Sequence, residues 1–120
     1  MVSGTKNGGT PKQLFFNLLD NAIRYTPSGG IVSVSVEREG DTAVVAISDS
    51  GIGIPEEHIP HIFERFYRVD KARSQAEGGA GLGLSICQHI AQSHGGRIKV
   101  ESKLREGSTF SVFLPLLEKN

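Results

Sequence analysis

The sequence predicts an α/β sandwich of two layers: a mixed, mostly antiparallel sheet with helices over one face. Three observations carry this. A strongly periodic helix pattern opens the chain, β-patterns come as two adjacent pairs, and a second long helix pattern lies between the pairs. The order is α, β-β, short α, long loop, α, β-β. Helices that cannot all sit between paired strands must share one side of the sheet.

Each element has its own signal. From Pro11 to Tyr25, Leu14, Leu18 and Ala22 form one helical row, with Phe15, Leu19 and Ile23 beside it. Pro11 suits a first turn, and "TPSGG" stops the helix. "IVSVSVE" alternates Val32, Val34 and Val36 with Ser33 and Ser35, which predicts a half-buried strand. "EGD" is a turn, and the more uniformly apolar "TAVVAIS" completes an antiparallel hairpin. Pro55 opens a short helix with acidic residues in its first turn. "ERFYRVDKARSQAEGGAG" is charged, glycine-rich and without periodicity, and loops of that length are usually functional or disordered. "LGLSICQHIAQSH" is a helix with Leu82, Ile86 and Ile90 on one face, ended by Gly95 and Gly96. "RIKVES" and "STFSVFLPL" are strands around "KLREG", with Phe110, Val112 and Leu114 on one face.

Composition narrows the function classes. The 120 residues fit one domain, read as 11–117, with 1–10 a disordered lead-in or expression remnant and 118–120 a tail. Thirteen basic and thirteen acidic residues cancel, so no global charge points to nucleic acid or a membrane surface. No apolar run approaches a membrane span. The single Cys87 matches no zinc spacing and reads as a buried, inert thiol in a reducing, cytoplasmic setting.

Four clusters carry chemistry. On the first helix, Asn17, Asn21 and Arg24 stand at i, i+4 and i+7, opposite the apolar stripe, with Tyr25 next. A solvated face is one reading, but two asparagines a turn apart add nothing to helix stability. Their amide oxygens suit a hard cation such as Mg²⁺, Arg24 a phosphate, and Tyr25 a base. In "DSGIGI", Asp49 ends a strand and Gly51 and Gly53 follow; this is either a turn or a carboxylate that accepts from the amine of adenine, with room for a flat ring. In "FERFYR", Phe63 and Phe66 read as core pins for the loop, and Arg65 and Arg68 as solvated or phosphate-reaching groups. "GGAGLGL" places Gly81 and Gly83 before a helix start, a seat for phosphate, while Gly78 and Gly79 suit a hinge. The loop is neither a Walker A motif nor a dinucleotide fingerprint. Together the clusters supply what binding of Mg-ATP requires.

"NLLDNAIRYTPSGG", "DSGIGIP", "FERFYRVD", "GGAGLGLSI" and "GSTF" resemble, in order, the N, G1, F, G2 and G3 boxes of sensor histidine kinases. The resemblance spans roughly Gln13 to Pro115 and implies the catalytic, ATP-binding domain of a two-component kinase of the GHKL superfamily, with the Bergerat fold. It implies Mg²⁺ on Asn21, and Asn17 near metal and phosphates. It implies Arg24 and Arg68 on phosphate, Tyr25 beside adenine and Asp49 on the adenine amine. Gly51, Gly53, Ile54, Phe66, Gly79, Gly81, Leu82, Gly83, Leu84 and Thr109 complete the ATP contacts.

The acceptor histidine of such kinases lies in an H-box on a separate dimerisation domain. His58, His61, His89 and His94 sit in no such sequence. The implied partner is therefore that dimerisation and phosphotransfer domain, and indirectly a response regulator, with the isolated domain monomeric and the parent kinase of a mostly membrane-anchored kind. The family strand that precedes the first helix is hard to find in "SGTKNGGT". Two other functions stay open. A serine kinase of anti-sigma-factor type would typically carry glutamate where Asn17 stands. A nucleotide-gated interaction module would bind ATP without transferring phosphate.

Overall fold

Thr10 fixes the start of the first helix. Its extended backbone stops the helix there, and its hydroxyl accepts the Gln13 N–H at 3.1 Å, with Pro11 in the first turn. In the computed structural model, which describes residues 10–64 and 83–116, this helix, α1, spans Pro11–Arg24. Leu14, Leu18 and Ala22 form its buried row, as the spacing predicts. Its end is closed by the Thr26 hydroxyl, which donates to the Ala22 carbonyl at 2.7 Å. A second helix, α2, spans Gly83–Ser93. It ends in a Schellman turn: Gly96 N–H donates to Ala91 O, Gly95 N–H donates to Gln92 O, and Gly95 takes a φ of +80°.

Four strands form one sheet in the order β1-β2-β4-β3, with β1 at Val32–Glu39, β2 at Thr42–Asp49, β3 at Arg97–Lys103 and β4 at Gly107–Pro115. Every pairing among the described residues is antiparallel, where a mixed sheet was expected. Of "SGTKNGGT", where a further strand was sought, all but Thr10 lies outside the described residues. Register fixes the faces. Ile47, Phe110 and Val100 lie in one cross-strand row beneath the helices, and Val45, Val112 and Ile98 in the next. The core sits between these rows, α1 and α2, with Leu14, Leu18, Ile90 and Val112 almost wholly buried.

Two elements differ from their sequence patterns. β1 shares the inner face through Val34 and Val36, yet these are 52% and 70% exposed. Among the described residues it is an edge strand, and the helices pack over β2, β3 and β4, so alternation alone did not bury it. The short helix after Pro55 is a 3₁₀ helix over Glu56–His61, and Pro60, which has no N–H to donate, sits inside it. Beyond it Phe63 packs edge-on against Phe110, ring centres 6.3 Å apart, as expected of a core pin. Among the described residues no helix is long and apolar enough to cross a membrane.

Candidate functional site

Two of the four clusters meet at one end of the sheet, joined through backbone to each other and to the β3–β4 turn. The carbonyl of Tyr25, at the end of α1, accepts the Ile52 N–H at 3.2 Å. Gly51 packs on that same carbonyl so closely that a Cβ would strike it. Ile52 in turn accepts the Arg105 N–H at 2.7 Å, and Gly53, at φ +74°, lies against the Lys103 carbonyl. Gly107 packs on the carbonyl of Asp49. The loop after Asp49 is thus clamped between the end of α1 and the β3–β4 turn. These glycines are required by backbone contacts within the fold itself, a reason the sequence did not reveal.

Asp49 stands on the helix-facing side of β2, partly buried. Its Oδ1 accepts the Gly51 N–H at 2.9 Å, the turn geometry read from "DSG". A carboxylate has further lone pairs, so the same group can still accept from a ligand. Its register partners are Val32 on β1 and Ser108 on β4, and Ser108 is paired with Ser102 on β3. One row of side chains therefore crosses the whole sheet at the site.

Thr109, expected near the base, does not share a face with Asp49. It is the partner of Ser48, and the two hydroxyls lie 2.9 Å apart on the opposite face of the sheet. Ser108, 8% exposed, is the residue that faces Asp49's side. Sequence reasoning missed it, although the signal was present: Phe110, Val112 and Leu114 define the inner face, and counting back by twos from Phe110 reaches Ser108. Ser102 was missed as well. Its hydroxyl accepts the Ile54 N–H at 2.8 Å, lies 2.7 Å from the Ser108 hydroxyl and donates to the Gly107 carbonyl at 3.1 Å.

On α1, Asn17 and Asn21 are partly buried rather than solvated. The Asn17 side chain hydrogen-bonds Cys87 of α2, whose thiol also donates to the Leu14 carbonyl at 3.7 Å. Burial pushes the Cys87 thiol up to about 12, and the Asn17 bond offsets only part of that shift. Arg24 pairs with Asp20 at 3.0 Å, a contact the sequence did not suggest. Both are exposed, and such an i, i+4 pair is worth only a few tenths of a kcal/mol, too little to hold Arg24 against a stronger anion. Gly83 is the first residue of α2 and Leu84 follows it, partly buried. Phe66, Arg68, Gly78, Gly79, Gly81 and Leu82 lie outside the described residues.

The arrangement has a carboxylate and a serine hydroxyl at the sheet end, amides on an adjacent helix and a second helix whose first residue is Gly83. Among the described residues no cluster of three or more His, Cys, Asp or Glu could hold a metal. Any cation here would depend on amide oxygens and on its ligand's own oxygens.

Comparison with known proteins agrees with this layout. Residues 7–118 match the family described as histidine kinase-, DNA gyrase B- and HSP90-like ATPase. The sensor-like histidine kinase SenX3 of Mycobacterium tuberculosis is 52% identical over 101 residues, which are 84% of this chain and 25% of that protein. The chain thus spans about a quarter of the length of that relative. Among solved structures, a mycobacterial sensor histidine kinase, MprB, superposes with a TM-score of 0.76 at 35% identity, over 86% of this chain and 70% of that one. Full-length ShkA, solved in complex with AMPPNP, gives 0.74 at 27% identity over 87% of this chain and 21% of that one. The two-layer fold is that of histidine-kinase ATPase domains, and the chain belongs to the histidine kinase-, DNA gyrase B- and HSP90-like ATPase family.

Proposed function

We propose that the chain is the ATP-binding catalytic domain of a two-component sensor histidine kinase, which passes the γ-phosphoryl group of ATP to a histidine on a separate dimerisation domain. The observation that carries this is the convergence of Asp49, its glycine loop and the end of α1 at one end of the sheet, in a chain whose relatives are sensor kinases. The ShkA structure, with a nucleotide analogue, supports the nucleotide reading.

Asp49 accepts from the amine of adenine, with Ser108 on the same face, and Tyr25 lies beside the base. The residues present fit a magnesium ion: Asn17 and Asn21, partly buried one turn apart on α1, each carry an amide oxygen. Asn21 would hold Mg²⁺, which when bound would supply charge neutralisation at the phosphates. Arg24, Arg68 and the backbone from Gly81 to Leu84 share the remaining charge, with Arg68, Gly81 and Leu82 outside the described residues. A neutral imidazole is nucleophilic by itself, so the site needs no strong base, which suits an amide at Asn17. A cytoplasmic setting and a response regulator as the downstream partner belong to the same proposal.

The test supplies a separately purified acceptor-histidine domain and γ-labelled ATP. Acid-labile phosphohistidine on the acceptor is the expected product. Tight ATP binding with no such product would favour a nucleotide-gated interaction module instead.

A further inference from the structure

We propose that Ser102 is a positioning residue that fixes which way the Ser108 hydroxyl points, and so makes the wall beside Asp49 accept hydrogen bonds only. This rests on the reading of Asp49 as the group that meets the base.

The protons available at Ser102 and Ser108 decide the direction. The Ser102 hydroxyl has three neighbours: the Ile54 N–H at 2.8 Å, the Gly107 carbonyl at 3.1 Å and the Ser108 hydroxyl at 2.7 Å. It carries one proton. The Ile54 N–H can only donate and the Gly107 carbonyl can only accept, so satisfying both commits the Ser102 proton to Gly107. The third bond can then form only if Ser108 donates to Ser102. Any other assignment loses one of the three bonds at a site where Ser108 is 8% exposed, and lost bonds at buried groups are costly. The Ser108 proton is therefore turned toward β3. On the other side, toward its register partner Asp49, Ser108 presents lone pairs. A carboxylate and a hydroxyl oxygen side by side, both accepting, admit a ring amine and disfavour a ring carbonyl. The same hydroxyl of Ser102 ties the loop after Asp49 to β3 through the Ile54 N–H, so one side chain sets both the position and the polarity of the wall.

The experiment compares ATP with inosine triphosphate, which differs at that ring position by a carbonyl in place of the amine, on the full 120-residue chain. The wild type should bind ATP more tightly. Ser102→Ala should narrow that preference about fivefold, since Ser108 is then free to donate, and should speed hydrogen exchange at the Ile54 amide. Ser102→Thr should keep both properties. Should Ser102→Ala fail to fold, Ser102→Cys keeps the volume with a poor acceptor and carries the same expectation. An unchanged preference in a folded variant, or equal weakening of both nucleotides, would overturn the proposal. A wild type that does not distinguish the two nucleotides overturns the base-recognition reading of Asp49, and the exchange rate at Ile54 still reports separately whether Ser102 holds the loop.

Discussion

Asp49 on β2 and Ser108 on β4 are direct register partners whose side chains rise from one face of the sheet, while Thr109, one residue on, meets Ser48 on the other at 2.9 Å. The pleat separates two neighbouring hydroxyls into different environments. Ser108→Ala should weaken ATP binding about three- to tenfold, the range of one lost hydrogen bond. Thr109→Val should change it less than about twofold. Calorimetric titration of both variants decides between the two residues, and a larger effect at Thr109 would contradict the register argument.

Asp49→Asn should weaken ATP by tenfold or more, because hydrogen bonds to charged groups are the stronger class. The amide oxygen can still accept the Gly51 N–H, so the turn survives. Nucleotide titration beside a circular dichroism spectrum separates lost recognition from lost fold. Retained affinity would remove Asp49 from the site.

Much of the fold was legible because period is a strong signal. The rows Leu14–Leu18–Ala22 and Phe110–Val112–Leu114 were read correctly, since both lie where two layers meet. Val34 and Val36 misled because alternation shows that a strand has two faces, not that a neighbour covers one of them. Around the candidate site, the turn at Asp49 was legible because local sequence carries it. Contacts were illegible where a long-range partner decides: the clasp on Ser102 joins positions 48 residues apart, and the bond of Asn17 to Cys87 joins two helices.

Asn21→Ala should abolish the gain in ATP affinity that Mg²⁺ confers while leaving affinity in EDTA nearly unchanged. The side chain is proposed as a metal ligand, and no carboxylate cluster among the described residues could replace it. Titrations with and without Mg²⁺ check this, and a persistent metal effect would place the cation elsewhere.

Gly53→Ala should destabilise the chain by about 2–4 kcal/mol. It forces a side chain into φ +74° and drives Cβ into the Lys103 carbonyl. Gly40→Ala, at φ +61° with nothing within 4 Å, bears only the conformational cost of about 1–2 kcal/mol. Thermal melts of the two variants compare a packed glycine with an open one.

Cys87 should resist thiol reagents at pH 8 in the native state and react once the chain unfolds. Burial holds its thiol neutral, with the value raised from 9.0 to about 12. The sign follows from linkage: the contribution to stability is whole below pH 9, where both states are protonated, and is lost progressively as pH rises toward 12. Alkylation followed by mass spectrometry, across pH and denaturant, reads both.

The exposed flank of β1 sets a practical boundary on the chain. Among the described residues this strand is hydrogen-bonded on one side only, so a row of backbone groups and two bare valines stand ready to template further strands. Glu37, Arg38 and Glu39 crowd the far end of the strand with charge and act as gatekeepers against runaway stacking. Val36, 70% exposed on this border, is where a lysine would set one more charge against strand-on-strand pairing.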